Sequence, residues 1–431
     1  MTPRELCRKM FDAAVARAQP SVCLPPHLPP PPERGRLLVL ACGKSGAHMA
    51  EACERHYLGA KSAHGLIAPD RFTGICVTRH GYGRPLTRIR CVEAGHPVPD
   101  AAGLAATADV LVLASEAGPD DLALVLISGG GSANWIAPAE GLTIEDKQAL
   151  TRALLNCGAP ISDINTVRKH LSRIKGGRLA ARLHPARSLT LAISDVPGDD
   201  PSFIASGPTV PDATTAADAL AVLQRWNIPP PARVGAVLED PAGETPKPGD
   251  PVFANAEIRI VARPADSLEA AAAIGRAAGY EVELLGDALE GEAREVGGAH
   301  GRMALDRLAE GRRTMLLSGG ELTVTVRGSG AGGPNQEYAL ALALAIEGAE
   351  GITALAADTD GTDGGSGAPS DPAGAFCDAA SLTKAQGMGL IAANFLKINN
   401  TTRFFERTGD LLVTGPTGTN VNDFRCVLVD K

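Results

Sequence analysis

Short, uninterrupted apolar runs recur along this chain, each leading into a glycine- or aspartate-rich turn and then an alanine-rich helical pattern. Leu37-Leu-Val-Leu40 leads to Gly43-Lys-Ser-Gly46, and Leu122-Ala-Leu-Val-Leu-Ile127 to Ser128-Gly-Gly-Gly-Ser132. Leu189-Thr-Leu-Ala-Ile193 leads to Ser194-Asp195, and Ile75-Cys-Val-Thr78 is a further run of the same kind. Apolar runs without polar alternation fit strands covered on both faces, and the helices between them fit parallel crossovers. The pattern therefore predicts an α/β protein.

After a proline-rich stretch at 229–251 the alternation resumes, with apolar runs at 258–261, 281–285, 315–317, 352–355, 411–413 and 425–429. Two domains are expected: a Rossmann-like N-terminal α/β/α sandwich over 1–235 and a C-terminal α/β domain over 250–431. The stretch 229–251 reads as the linker, and the active site is expected in the interdomain cleft. Residues 4–19 predict an opening amphipathic helix, and the proline-rich segment 24–32 an extended connector. Thr143-Ile-Glu-Asp146 has the spacing of a capping box and opens a helix to about Leu155.

Composition narrows the function classes. Aromatics are only 3% of the chain, so its cores must rest on Ala, Leu, Val and Ile. The net charge of −8 disfavours nucleic acid and anionic membrane surfaces, and an anionic small substrate needs a local basic pocket. Nine cysteines without a CxxC pair fit a reduced, cytoplasmic protein. The start of the chain lacks the apolar core of a signal peptide, and no apolar run is long enough to span a membrane. Oligomeric state stays open, a homodimer included.

Ligands of open α/β sheets bind beyond the carboxyl ends of the strands, where turn and helix N–H groups attract anions. Gly43, Lys44 and Ser45 occupy such a turn, although the motif is neither a Walker A loop nor a complete GxGxxG fingerprint. Lys44 is either a phosphate-binding cation there or a solvated lysine on an ordinary β–α turn. Ser128, Gly129, Gly130, Gly131 and Ser132 form a second candidate nucleotide or phosphate loop. In the third, Ser318-Gly-Gly-Glu321 precedes a strand expected to reach Val326; Arg327 then opens Gly328-Ser-Gly-Ala-Gly-Gly-Pro334. A guanidinium suits the spread charge of a transferring phosphoryl group, and the polar triplet that follows offers Asn335 and Glu337 to a substrate.

Carboxylates complete the candidate set. Asp195 emerges at a strand end, placed to accept a proton from an attacking hydroxyl or to hold a metal, although Asp-Val-Pro-Gly is also a good turn. Asp360 and Asp363, in Ala357-Asp-Thr-Asp-Gly-Thr-Asp363, read as a Mg²⁺- or hydroxyl-binding loop or as turn chemistry. The basic segment 165–178 places Arg168 and Lys175 on one helical face, as a solvated face or as partners of a substrate carboxylate.

In order along the chain, these motifs resemble the glycerate 2-kinase family, whose C-terminal part is the MOFRL domain. The resemblance rests on Gly43-Lys-Ser-Gly46, Gly95-His-Pro-Val-Pro-Asp100, Leu126-Ile-Ser-Gly-Gly-Gly-Ser132, Ile193-Ser-Asp-Val-Pro-Gly-Asp199 and Ser206-Gly-Pro-Thr209. Asn165 to Leu179, Leu317-Ser-Gly-Gly-Glu-Leu-Thr323, Gly332-Gly-Pro-Asn-Gln-Glu337, Asp360-Gly-Thr-Asp-Gly364 and Thr414-Gly-Pro-Thr-Gly-Thr-Asn-Val-Asn-Asp423 complete it. Cys42 and the 24–32 connector depart from the pattern. The resemblance implies ATP-dependent phosphorylation of D-glycerate to 2-phosphoglycerate, ATP and Mg²⁺ as cofactors, and catalytic weight on Lys44 and Arg327. Two rival readings are a nicotinamide-dependent hydroxypyruvate reductase, with Arg79 near a 2′-phosphate, and a non-catalytic sugar-phosphate-binding module.

Overall fold

The computed structural model describes residues 1–59, 67–365, 368 and 370–430. These residues form two compact units, one of residues 23–261 and the other of 1–22 together with 262–431.

The first unit is built on a six-stranded sheet of β1 (Leu37–Cys42), β2 (Phe72–Arg79), β3 (Ile89–Ala94), β4 (Leu122–Ile127), β5 (Arg187–Ile193) and β6 (Ala256–Ala262). Its order is β3-β2-β1-β4-β5-β6, with β1 to β5 parallel to their neighbours. Every residue of β1 and β4 is buried, which is why both read as pure apolar runs. Leu38, Leu40, Val125 and Ile127 pack against Val110, Leu111 and Ala114 of the Ala101–Ser115 helix. The capping box forms as expected: Asp146 N–H donates to Thr143 Oγ1 at 3.3 Å, and Thr143 N–H to the Asp146 carboxylate at 2.9 Å.

The second unit has a mixed sheet of β7 (Glu281–Leu289), β8 (Thr314–Gly320), β9 (Ile352–Asp358), β10 (Gly374–Asp378), β11 (Leu411–Leu412) and β12 (Asp423–Val429). The order is β11-β10-β9-β12-β8-β7, antiparallel except for the β7–β8 pair. Side chains alternate between its two faces. Leu317, Leu355, Phe424 and Cys426 face one core, and Leu316, Ala354, Ala356 and Val427 the other.

Domain membership departs from the expected 1–235 and 250–431. The Pro3–Arg17 helix buries Leu6, Cys7, Met10 and Phe11 with Leu268, Leu355 and Phe424, so the start of the chain belongs to the second unit. Phe11 meets Phe424 edge-on, with ring centroids 5.8 Å apart. The run at 258–261 falls in β6 of the first sheet, not in the second domain. The expected linker 229–251 is packed structure as well. Val234 and Leu238 of the Ala232–Glu239 helix join Leu150, Ile164 and Val222 in a core, and Glu244 accepts hydrogen bonds from Ala216 N–H and pairs with His170. Nor is 24–32 wholly extended, since Pro25–His27 forms a 3₁₀ turn.

Candidate functional site

Strand order reverses at β1 and β4, whose carboxyl ends lie side by side with Cys42 opposite Ile127. A crevice of this kind is where open parallel sheets take their ligands. The two glycine loops meet there. Lys44 N–H donates to Gly129 O at 2.8 Å, and Ser45 N–H to Ser128 Oγ at 3.0 Å. Gly43 has φ +100°, and a Cβ there would lie 2.4 Å from Ser128 Oγ, so the junction requires glycine.

These bonds correct one expectation about the first loop. The N–H groups of Gly43, Lys44, Ser45 and Gly46 are spent on Val77 O, Gly129 O, Ser128 Oγ and Gly43 O. Ser45 is fully buried. The loop's offering to a ligand is therefore the half-buried Lys44 side chain rather than a backbone cradle. In the second loop Ser128 is also buried, its hydroxyl tying the two loops together. Gly131 is packed tightly: a Cβ there would meet Cys42 Sγ at 2.8 Å and Ala205 Cβ at 2.9 Å. The N–H groups of Gly129, Gly130 and Ser132, by contrast, find no acceptor among the described residues. Gly130 is flanked by the His96 ring and the Lys44 stem, 2.9 and 3.3 Å from where its Cβ would be.

A cavity of about 400 Å³ opens beside this loop, walled in part by His96, Gly130, Ser132, Lys147, Arg168 and Lys175. Among the described residues no carboxylate lines it, in a chain that is acidic overall. Lys175 is buried and donates to the carbonyls of Ser132 at 2.8 Å and Trp135 at 3.0 Å. Burial, with Arg168 nearby, drops its ammonium from the ordinary lysine value to about 7. Lys147 is likewise pushed down by burial, and donates to Leu171 O at 2.7 Å. Burial also lowers Arg168, which pairs with no carboxylate among the described residues. Four basic side chains, Lys147, Arg152, Arg168 and Lys175, thus border one cavity with no carboxylate among its described lining residues. Ser132 Oγ lies 2.7 Å from Ser206 Oγ, which donates to Asn165 Oδ1 on the Ile161–His170 helix that carries Arg168.

The depressed Lys175 has a stability consequence. Below pH 7 both the folded and unfolded chains carry its charge, and the full burial penalty applies. From about pH 7 to 10.5 the unfolded chain holds the proton and the folded chain sheds it, so folding gains stability as pH rises. The parent should therefore gain on Lys175→Met between pH 7 and pH 10 in paired urea titrations. Parallel stability profiles would contradict a depressed lysine.

Asp195 stands half-buried just past β5, at the carboxyl edge of the same sheet and beside β4. His96 and Lys147 escaped the sequence reading. One was visible only as part of Gly95-His-Pro-Val-Pro-Asp100, and the other is an isolated lysine in the Ile144–Asn156 helix.

The candidates of the second unit are placed differently from expectation. Glu321 to Val326 forms no strand; its regular pairing is the single bridge Thr323 to Glu292. Arg327 is exposed, and its guanidinium pairs with no carboxylate among the described residues. The glycines after it serve close packing: a Cβ on Gly328 would lie 2.4 Å from Ile398 O, and one on Gly330 2.4 Å from Asn400 Cβ.

Asn335, Glu337, Asp360 and Asp363 are all buried. Asp363 takes four N–H donors at the start of the Pro334–Ile346 helix, the backbone and side-chain amides of Asn335 and Gln336, at 2.9–3.2 Å. Burial and nearby Asp423 push its carboxyl up, to about 7, while the four donors favour the anion. It caps a helix and has no lone pair to spare for a metal. Asn335 also donates to Asp423 at 2.6 Å, and Glu337 is held by Arg294 at 2.7 Å and Asn399 at 2.6 Å, so neither side chain is presented to a substrate. Asp360 Oδ1 accepts from Thr362 N–H and Oγ1, the turn chemistry held open as its alternative. Among the described residues no three His, Cys, Asp or Glu side chains converge as a metal cage. Arg79 stacks over Tyr82 at 5.3 Å. The cysteines are all free, and no helix among the described residues is long and apolar enough to cross a membrane.

Comparison with known proteins agrees with the ordered motifs. Residues 6–239 match a domain of unknown function, DUF4147, and residues 314–423 the MOFRL family. A D-glycerate 2-kinase of Thermotoga maritima is 39% identical over 394 residues, covering 90% of this chain and 89% of that protein. A protein of Agrobacterium vitis with a provisional hydroxypyruvate reductase name is 46% identical over 436 residues, covering 100% of this chain and 95% of that one. The crystal structure of a glycerate kinase from Thermotoga maritima superposes with a TM-score of 0.86 at 36% identity, covering 99% of both chains. The chain belongs to the glycerate 2-kinase family of MOFRL type.

Proposed function

We propose that this chain transfers the γ-phosphoryl group of ATP to the 2-hydroxyl of D-glycerate, giving 2-phospho-D-glycerate and ADP. The observation that carries the reading is the basic cavity beside the paired glycine loops, with no carboxylate among its described lining residues, in a chain related over 90% of its length to a D-glycerate 2-kinase. Arg168, a guanidinium without a carboxylate partner among the described residues, takes the glycerate carboxylate through two parallel N–H bonds. The free N–H groups of Gly129, Gly130 and Ser132 face phosphate oxygens, and the Lys44 ammonium neutralises charge that grows during transfer. Lys175, near neutrality when the cavity is empty, regains its proton as an anion enters. Arg327 supplies a further charge to the transferring group.

Asp195 receives the proton of the attacking hydroxyl. A single carboxylate also suits Mg²⁺, which is held by one or two carboxylates together with nucleotide phosphates rather than by an all-protein cage. When bound, Mg²⁺ offsets phosphate charge, and Asp195 is the residue that would hold it. Asp195→Asn should lower kcat while leaving the circular dichroism unchanged; unchanged turnover at saturating ATP and Mg²⁺ would exclude both roles. A need for ATP supports a cytoplasmic setting.

The provisional reductase name on a close relative makes the direct test a comparison. With ATP and D-glycerate the product should be 2-phosphoglycerate, resolved from the 3-isomer by phosphorus NMR. With hydroxypyruvate and NADH or NADPH the nicotinamide absorbance should stay constant. The reverse pair of results would establish the reductase, and inactivity in both a binding module.

A further inference from the structure

We propose that Asn399 is the positioning residue for Arg327, holding the otherwise irregular segment that carries this guanidinium. The inference rests on the reading above that Arg327 acts on the transferring phosphoryl group.

The segment has little of its own to fix it. It contains no strand, and Val326 and Arg327 are exposed. Asn399 supplies what the backbone lacks. Its Oδ1 accepts from Arg327 N–H at 2.6 Å and from Gly328 N–H at 3.0 Å. Its Nδ2 donates to Thr325 O at 3.2 Å and to Glu337 Oε1 at 2.6 Å. Both acceptor sites and both donors of the amide are thus used, three of the four on residues 325–328.

The amide is itself held. Asn399 is 5% exposed and adopts φ +55°, a left-handed conformation that asparagine tolerates better than most residues. Glu337 is 1% exposed, and its other oxygen is gripped by Arg294 at 2.7 Å. Arg294, Glu337 and Asn399 therefore form a buried polar chain that ends on the Arg327 backbone. The charged start of this chain fixes which way the amide of Asn399 points. The side chain of Arg327 is left out of the chain and stays available.

A residue that acts in this way should affect catalysis only while Arg327 is present. Asn399→Gly keeps the left-handed backbone and removes the amide. It should lower kcat by roughly 10–100-fold, the scale of a small misplacement, with KM for ATP and D-glycerate changed less than about twofold. In an Arg327→Ala background the same substitution should change kcat by less than about twofold. An equal loss in both backgrounds would overturn the inference while leaving Arg327 in its role. Near-parental kcat in Arg327→Ala itself would instead remove the reading on which the inference rests. Should Asn399→Gly not fold, Asn399→Asp serves the same cycle. It keeps the acceptors for Arg327 and Gly328 but loses both donors and faces Glu337, so a kcat loss confined to the Arg327 background is again expected. A loss that ignores the background refutes the proposal.

Discussion

Lys44→Ala is expected to lower kcat by about 10²–10³-fold with the fold intact, the usual result of deleting one preorganised charge partner. Phosphoryl transfer leaves the protein little covalent work, so stabilising the charge that develops carries most of the rate. The first glycine loop has only one group to give. Its four N–H donors are consumed within the loop and in ties to β2 and to the second glycine loop, which leaves the Lys44 side chain. The same bonds protect the fold, because the Lys44 contact to Gly129 O is made by the backbone and survives truncation of the side chain. Charge that matters most in the transition state shows in kcat more than in KM. Steady-state formation of 2-phosphoglycerate, with circular dichroism alongside, reads both. Near-parental kcat would leave Lys44 a bystander at the mouth of the sheet.

Arg327→Ala should cost a similar factor, about 10²–10³ in kcat. Arg327→Lys should restore only part, because an ammonium cannot offer the planar fork of a guanidinium. Stability should move by no more than about 0.5 kcal/mol, since the side chain is exposed and breaks no ion pair among the described residues when removed. That separation of rate from stability distinguishes a working charge from a structural one. Full activity in both variants would make Arg327 a surface residue.

The parts of the fold that could be read in advance are those buried on both faces. β1, β4 and the core of β5 have no polar alternation to confuse them, and the loops beyond β1 and β4 fall where the motif places them. β3 was missed because it is an edge strand, with Arg90 and Glu93 exposed and breaking the apolar pattern. Sheet membership was not readable at all: β6 follows a long proline-rich segment yet returns to the first sheet. In the site, Ser132, Arg168 and Lys175 do border one cavity. Asn335, Glu337 and Asp363 were misassigned for a physical reason. Polar residues next to a glycine loop look alike in sequence whether they face a ligand or one another. Only the fold supplies their partners, Asp423, Arg294 and the start of a helix, from distant parts of the chain.

The Pro3–Arg17 helix covers β12, the last strand of the chain. The helix is therefore completed by a strand made about 400 residues later. At the usual pace of synthesis roughly 20–80 s separate the two, time enough for residues 23–261 to fold on their own. Early in that interval, until Leu268 and Leu355 have been made, the apolar side of Leu6, Met10 and Phe11 has no native surface to rest on. Nascent chains are thus exposed to self-association at this helix until those partners emerge, and a message truncated before β12 yields a protein whose Pro3–Arg17 helix lacks Phe424, part of its seat.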